Sequence, residues 1–227
     1  MKNDVDSVVA ALTRRGSKRG REGMARYGIV AENVLGVSVA DIRAIAKQIG
    51  RNHSLALALW KTNIYEARML TAFISEPARV TPALMDRWAR DFDNWAICDT
   101  LCFHLFDRTP HAWAKVEQWS SDRREFVKRG AFALLASLAL HDKNAPDKPF
   151  LKTLRLIERA ASDERNFVKK AVSWALRGIG RRNRALNAVA VEVARRFCQL
   201  DEPAARWIGR DALKELTSPP VLRRLRG

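Results

Sequence analysis

Apolar residues recur at helical spacing along nearly the whole chain, and no stretch alternates apolar and polar residues as a strand would. A first helix is predicted from about Val5 to Arg14, and a second ends near Tyr27. Ser38, followed by Asp41 three residues later, is a signal for the start of the next helix. Similar signals divide the chain into about a dozen helices joined by short loops. The pattern predicts an all-α protein built from stacked pairs of helices.

The helical pattern also repeats itself. The segment from Arg124 to Leu135 aligns with the segment from Arg165 to Leu176 at an offset of 41 residues, and residues 206–213 fit the same template. A period of about 40 residues with two helices per unit is typical of HEAT-like repeats. Because one such unit cannot bury its apolar face alone, we expect the units to stack into a single domain over residues 1–227. That domain would be a curved solenoid with one concave face.

Each predicted unit has an aromatic residue at the start of its second helix. These residues are Tyr65, Trp95, Phe126, Phe167 and Trp207. Three positions later stand Arg68, Cys98, Arg129, Lys170 and Arg210. Four of these five are cations, and equivalent positions of stacked repeats share one surface, so the series predicts a basic stripe on the concave face. For any single cation, the alternative is an ordinary solvated helix surface.

The unit of Trp95 departs from this series. It has Cys98 instead of a cation, and Asp99 follows where Met69, Gly130 and Ala171 stand in other units. A spacing of four residues places Trp95 and Asp99 on the same side of a helix. The alternative for Asp99 is an ion pair with an arginine of another helix. Asp211 stands at the same position of the last unit, where the adjacent Arg210 could pair with it.

Trp174 is a second departure, because it lies seven residues after its repeat aromatic, where Ala72, Cys102 and Ala133 stand in other units. It could belong to the core, as most tryptophans do. With Trp95 and Asp99 it also suggests a site. The remaining tryptophans at helical spacing among apolar residues are predicted to pack in the core: Trp60, Trp88, Trp113 and Trp119.

The charge balance favours a polyanionic partner. The 227 residues include 41 Lys and Arg against 25 Asp and Glu, a formal net charge of +16. Such a balance is typical of nucleic-acid-binding proteins, although ribosomal and membrane-surface proteins share it. Phosphate contacts along the stripe would give salt-dependent binding by shape and charge, without reading the base sequence.

Other sequence features bear on location and metal binding. The chain opens without an apolar run after its first positive charge, and the longest apolar run, 130–140, is too short to cross a bilayer. Cys98, Cys102 and Cys198 have no C-x-x-C spacing, and too few further ligands accompany them to form a zinc site. We therefore expect a cytoplasmic protein with buried structural thiols and no metal.

Three segments carry a resemblance to a known family. The segments 94–99, 126–131 and 166–177 resemble the HEAT-repeat alkylpurine DNA glycosylases of the AlkD type. The similarity covers nearly the whole chain. It implies that Trp95 and Asp99 are the functional tryptophan and aspartate, that Arg129 contacts DNA, and that Trp174 is a second functional tryptophan. The predicted DNA contacts are Arg68, Arg129, Lys170 and Arg210 of the stripe, with the neighbouring Lys128, Arg165, Lys169 and Arg177.

The resemblance also implies a reaction. Such glycosylases remove cationic N3- or N7-alkylated purines from duplex DNA, without a metal or redox cofactor and with the base left stacked. A cationic purine leaves as a neutral base, so no general acid is needed, and Asp99 would stabilise the oxocarbenium-like sugar and orient water. A carboxylate about 4 Å from that charge, at a dielectric constant near 20, contributes roughly 4 kcal/mol, or about a thousandfold in rate. The resemblance implies a monomeric repair enzyme of the bacterial cytosol.

Two other hypotheses remain open on the sequence. A non-catalytic helical-repeat protein could use the stripe to bind distorted or branched DNA, in which case no alkylated base would be released. A helical-repeat scaffold could instead bind an acidic protein partner, in which case duplex DNA would not compete with an acidic peptide.

Overall fold

A computed structural model describes residues 4–29 and 32–225 of the chain, so the first three residues, residues 30–31 and the last two lie outside the description. The described residues form helices, turns and loops with no strand, which confirms the all-α prediction. They divide into two compact units, Met1–His111 and Ala112–Gly227. The single domain, its curvature and its concave face stay predictions.

Seven α-helices make up the described part of the first unit. They are α1 (Val5–Thr13), α2 (Lys18–Arg26), α3 (Val39–Ile49), α4 (His53–Trp60), α5 (Tyr65–Ile74), α6 (Pro82–Arg90) and α7 (Trp95–His104), with 3-10 turns at Pro77–Arg79 and Phe106–Arg108. The predicted cap at Ser38 is present, since its hydroxyl oxygen accepts from the Asp41 amide at 3.1 Å. Asn52 and Thr81 cap α4 and α6 in the same way. Short polar side chains therefore define several helix starts.

The core of the first unit lies around α5, which packs against α1, α3, α4 and α7. Trp60 and Trp88 are buried and stack with their ring centroids 4.6 Å apart. The Trp60 indole also donates to Asp91 Oδ2 at 2.7 Å, which satisfies its one polar atom. The prediction that both tryptophans serve packing is confirmed.

Seven further α-helices make up the described part of the second unit. They are α8 (Ala112–Trp119), α9 (Glu125–His141), α10 (Asp147–Ala160), α11 (Asn166–Gly180), α12 (Arg184–Gln199), α13 (Pro203–Leu216) and α14 (Pro219–Arg224). The three segments that align in the sequence lie on α9, α11 and α13, and α11 packs against both of the others. The repeat therefore corresponds to a row of packed helices.

One detail of the repeat prediction is wrong. The aromatic residue begins the helix in α5 and α7 and is the second residue in α9 and α11, but Trp207 is the fifth residue of α13. The reason is the Glu202–Pro203 pair, which starts α13 early because proline suits the first helical position. Further along α13, Gly209 allows close packing, since a Cβ there would lie 2.6 Å from the Ala194 carbonyl oxygen on α12.

No helix among residues 4–29 and 32–225 is both long and apolar enough to span a membrane.

Candidate functional site

The start of α7 presents Trp95 and Asp99 one helical turn apart. Asn94 is almost fully buried, and its side-chain oxygen accepts from the amides of Ala96 and Ile97, both at 3.0 Å. This cap makes Trp95 the first residue of the helix. Trp95 and Asp99 are both half-buried. The structure thus brings together, within the first unit, the indole and the carboxylate that the sequence analysis singled out.

The Trp95 indole is held by the end of α2. Its Nε1 donates to the backbone carbonyl oxygen of Tyr27 at 2.9 Å. Tyr27 follows the last residue of α2, and its own side chain is 74% exposed. Because a hydrogen bond from the ring nitrogen restrains the ring, the orientation of Trp95 depends on the position of α2.

The loop 33–37 supports α2 and is anchored by a buried acid. Glu66, on α5, is fully buried and accepts from three successive amides, with distances of 3.0 Å to Leu35, 2.6 Å to Gly36 and 3.1 Å to Val37. In return, the Leu35 carbonyl oxygen accepts from Arg21 Nη1 of α2 at 3.2 Å. Buried carboxylates are stabilised by such sets of donors.

At Gly20 and Gly36, α2 approaches this loop so closely that a Cβ atom would clash. Gly36 has a φ of 81°, and a Cβ on Gly20 would lie 2.1 Å from the Gly36 carbonyl oxygen. Glu66, the loop, α2 and Trp95 therefore form one connected support. Sequence reasoning missed Glu66, because a glutamate in the first turn of a helix is ordinary and nothing nearby in the sequence marks its partners.

Two thiols lie on the same helix as Asp99. Cys98 and Cys102 are fully buried, as expected of structural thiols. Burial chiefly raises the pKa of the Cys102 thiol well above its usual value, and the hydrogen bond with Cys98 and the charge of Asp99 act in the same direction. The thiol therefore stays protonated and packs as a small apolar group.

Arg68, the first predicted stripe residue, is engaged inside the first unit. Its guanidinium carbon lies 5.0 Å from the centroid of the Trp60 ring, and Nη2 lies 3.9 Å from Asp91 Oδ2. Only 13% of its side chain is exposed. These contacts are those of an arginine that packs against an indole, and its predicted contact with DNA stays a prediction.

Lys128 and Arg165 converge on one acid of the second unit. Lys128 Nζ lies 2.8 Å from Asp163 Oδ2, and Arg165 donates to both carboxylate oxygens of Asp163, at 2.9 and 2.6 Å. These bonds, led by those from Arg165, hold the pKa of Asp163 well below its usual value despite its burial. Lys128 therefore joins α9 to the loop before α11, and Arg165 stabilises that loop from within.

Arg129 is also enclosed by α9 and α11. It is 7% exposed, donates from Nη1 to the Phe167 carbonyl oxygen at 2.7 Å, and lies with its guanidinium carbon 6.0 Å from the Phe167 ring centroid. Trp174, farther along α11, is half-buried. The predicted roles of these two residues stay predictions, and an arginine this enclosed has few atoms available to a ligand.

Asp211 on α13 pairs with Arg177 on α11. Its Oδ2 lies 3.3 Å from Arg177 Nε and accepts from the Ser173 hydroxyl at 2.5 Å, and Arg177 also pairs with Glu215. The suggested pair between Asp211 and Arg210 is therefore not the contact that forms. An arginine on the facing helix reaches the acid, whereas Arg210 is exposed to solvent.

The remaining predicted cations are more accessible. Lys169 lies with Nζ 5.3 Å from the Trp207 ring centroid and is half-buried. Lys170 and Arg210 are exposed. The predicted stripe is therefore uneven, because its members on α11 and α13 reach solvent whereas Arg68 and Arg129 are enclosed.

Comparison with models of known protein families gives a match over most of the chain. The model of a protein family described as DNA alkylation repair enzyme matches residues 8–216. The chain belongs to the DNA alkylation repair enzyme family. The match spans every residue assigned to the candidate site, so the resemblance drawn from the three sequence segments is confirmed at the level of the family.

Comparison with solved structures gives the fold of this family member. The chain is similar to a protein described as belonging to a new family related to the HEAT-like repeat DNA glycosylases with affinity for branched DNA structures. The two are 20% identical with a TM-score of 0.76, and the match covers 85% of this chain and 82% of that chain. This likeness confirms the HEAT-like repeat fold of the DNA alkylation repair family member.

A second similar structure is that of an engineered protein, 14% identical, with 94% of this chain and 98% of that chain covered and a TM-score of 0.43. A score this low supports no conclusion. The search of curated proteins gave no significant match.

Proposed function

We propose that this member of the DNA alkylation repair family is a DNA glycosylase that releases cationic N3- or N7-alkylated purines from duplex DNA. The observation that carries the proposal is the half-buried Asp99 on α7, one turn from an indole that the Tyr27 carbonyl restrains. The equivalent residues Met69, Gly130 and Ala171 are buried and carry no charge. Asp211 fills the same slot of α13, where an arginine of the facing helix pairs with it, so the feature that we propose to be functional is the placement of Asp99 beside a restrained indole.

The proposed chemistry needs one carboxylate. Alkylation at N3 or N7 leaves the purine positively charged, so it departs as a neutral base without protonation. The sugar then bears the developing positive charge, which Asp99 stabilises while it orients the attacking water. The Trp95 and Trp174 indoles are proposed to add about 0.5–2 kcal/mol each by cation–π attraction. Unmodified purines lack the charge and gain little.

The proposal also assigns partners. The substrate is alkylated duplex DNA, the base stays stacked, and the protein acts as a monomer in the cytoplasm. Exposed Lys170 and Arg210 are the first candidates for binding phosphates. Replacing a cation that binds one phosphate should make the slope of log K against log salt shallower by about 0.9. Arg129 is proposed to contact DNA through the few atoms that its enclosure by α9 and α11 leaves accessible.

Release of 7-methylguanine from a duplex tests the proposal. Wild type is expected to release the base, and Asp99→Asn to do so about a thousandfold more slowly, since the charge is removed while the side-chain size is kept. Asp211→Asn is the matched control, because it makes the same change in the equivalent slot of α13. Equal release by wild type and Asp99→Asn would remove Asp99 from the mechanism.

A second candidate is a non-catalytic protein that binds branched DNA. The similar solved structure is described as a relative of these glycosylases with affinity for branched DNA, and enclosure of Arg68 and Arg129 removes two predicted contacts from the surface. This candidate predicts tighter binding to a four-way junction than to a linear duplex, with no base released from any alkylated substrate. Measuring both binding and release on the same preparation separates the two.

A further inference from the structure

An apolar groove lies between α8 and α10, on helices that carry none of the predicted DNA contacts. Its volume is about 450 Å³, and its lining includes Trp113, Pro146, Pro149 and Thr153. The Thr153 hydroxyl donates to the Phe150 carbonyl oxygen at 2.7 Å, so its methyl group is what remains for the groove. Trp113 is half-buried, less enclosed than the core tryptophans with which the sequence analysis grouped it.

The groove has rigid walls. The Trp113 ring meets the buried Phe150 ring edge-on, with centroids 5.0 Å apart. The guanidinium carbon of Arg182 lies 4.1 Å from the centroid of the Phe150 ring. Arg182 also donates to the carbonyl oxygens of Ala139, Asp142 and Ala145. Two prolines at the start of α10 add fixed φ angles. A preformed groove loses little entropy when a ligand enters it.

One edge of the groove is positively charged. Lys148, Lys152, Arg155 and Arg159 follow one another along α10 at spacings of four, three and four residues, which places them on one side of the helix. Arg155 lies 2.7 Å and Arg159 3.9 Å from Glu117 on α8. Lys148 and Lys152 are exposed and lie in the first two turns of α10.

This placement of two lysines is unfavourable for the free protein. Like charges four residues apart on a helix repel each other. A cation near a helix N-terminus also opposes the helix dipole. An anionic ligand would relieve both effects. Leu151, between the two lysines in sequence, is 43% exposed and adds apolar surface beside them.

We propose that this groove binds an acidic peptide segment of a protein partner, with an apolar side chain against Trp113 and carboxylates paired with Lys148 and Lys152. Grooves lined by aromatic residues commonly recognise extended peptides. A nucleic-acid strand fits less well, because much of the lining is apolar, with Trp113 and two prolines, and the remaining cation of the lining, Arg155, is paired with Glu117 and offers little to successive phosphates. The proposal is independent of the glycosylase activity, and it predicts that peptide and duplex DNA bind the same molecule together.

Titration with a fluorescent synthetic peptide tests the proposal. The probe has a central Leu-Phe pair flanked by Asp and Glu, and its control has Lys in place of the acids. The full chain is expected to bind the acidic peptide in a salt-dependent way and to ignore the basic one. Trp113→Ala is expected to weaken binding about tenfold or more, as for a buried aromatic anchor.

Trp113→Ala also removes packing on Phe150, so a variant with surface changes alone is needed. Lys148→Glu/Lys152→Glu alters two exposed side chains and is expected to weaken acidic-peptide binding about tenfold or more. Lys61→Glu/Lys214→Glu makes the same charge change at exposed positions outside the groove and should bind as wild type does. Thermal unfolding of all variants, followed by circular dichroism, confirms that they fold.

Three results would overturn the proposal. They are failure of the acidic peptide to bind wild type, unchanged binding by the Lys148→Glu/Lys152→Glu variant, and displacement of the peptide by duplex or single-stranded oligonucleotides. Displacement by an oligonucleotide would assign the groove to nucleic acid. Peptide binding that persists in saturating duplex, and that disappears when the two lysine charges are reversed, would support the proposal.

Discussion

Asp99 on α7 and Asp211 on α13 occupy the same repeat position in different environments. Each stands four residues after a tryptophan, Trp95 or Trp207. Asp211 pairs with Arg177 and accepts from Ser173, which joins α13 to α11. The comparison teaches that an acid at this repeat position can join two helices, as Asp211 does, whereas Asp99 is proposed to act on a substrate.

The neighbours of the two acids within their own helices also differ. Cys98, directly before Asp99, and Cys102, three residues after it, are both buried. Asp211 stands between Arg210 and Ala212, with Lys214 and Glu215 in the next turn. The indoles differ as well, because Trp95 donates to a backbone carbonyl whereas Trp207 is 37% exposed beside Lys169. We therefore expect changes at the two positions to affect different measurements.

The largest expected effect is on catalysis at α7. Asp99→Asn should reduce base release about a thousandfold, because it removes the charge that we propose to stabilise the sugar. Asp211→Asn should leave the rate within about threefold and instead lower the free energy of unfolding by about 1 kcal/mol, since its ion pair is partly exposed. Single-turnover release and urea unfolding, measured on both variants, check this. A similar fall in activity in both variants would show that the two acids do not differ in role.

The next largest effect is on stability at Glu66. Glu66→Ala leaves three amides, two of them on buried residues, without their acceptor, so the free energy of unfolding should fall by about 3–5 kcal/mol. Glu22→Ala, on the exposed surface of α2, should change it by less than about 0.5 kcal/mol. Urea unfolding measures both. Unchanged stability of Glu66→Ala would mean that the loop 33–37 is held mainly by other contacts.

The third expected effect is on the stability that Asp163 contributes, which depends on pH. Arg165 and Lys128 lower the pKa of Asp163 in the folded protein. A lowered pKa contributes stability that is complete above the unfolded value of about 4 and is lost as the pH falls toward the lowered value. Asp163→Asn should therefore be less stable than wild type by about 1–3 kcal/mol at neutral pH.

The difference between wild type and Asp163→Asn should shrink as the pH is lowered through about 4 and below. Thermal unfolding at a series of pH values follows this change. A difference that is the same at every pH would show that the charge of Asp163 is not the source of its contribution.

The smallest expected effect is the difference in base release between substitutions of Trp95 and Trp207. Trp95→Phe removes the donor to the Tyr27 carbonyl, worth about 1 kcal/mol, and should slow base release by up to about tenfold. Trp207→Phe is the control, because the Trp207 ring lies at the surface beside Lys169 and should tolerate the change. Single-turnover rates for both variants provide the test. Equal rates would indicate that restraint of the Trp95 ring by α2 has no effect on the reaction.

The sequence was sufficient for several parts of this structure. Helical periodicity and the Ser38 cap predict helices that the structure contains, because a cap is a local interaction between residues three apart in the chain, and Asn52 and Thr81 make the same interaction. The repeat was visible because α9, α11 and α13 fill equivalent places and need similar residues. The spacing of Trp95 and Asp99 on one helical turn follows from the helix itself.

Only the tertiary structure decided what each charged residue contacts. Arg68, Lys128 and Arg177 look alike in the sequence as members of a basic surface, yet each is bound to acids or rings that lie 8–38 residues away in the chain. Glu66 gave no signal for the same reason, since the amides that it binds lie about 30 residues earlier. Helix formation depends on neighbours in sequence, whereas the fate of a charge depends on which distant helix packs against it.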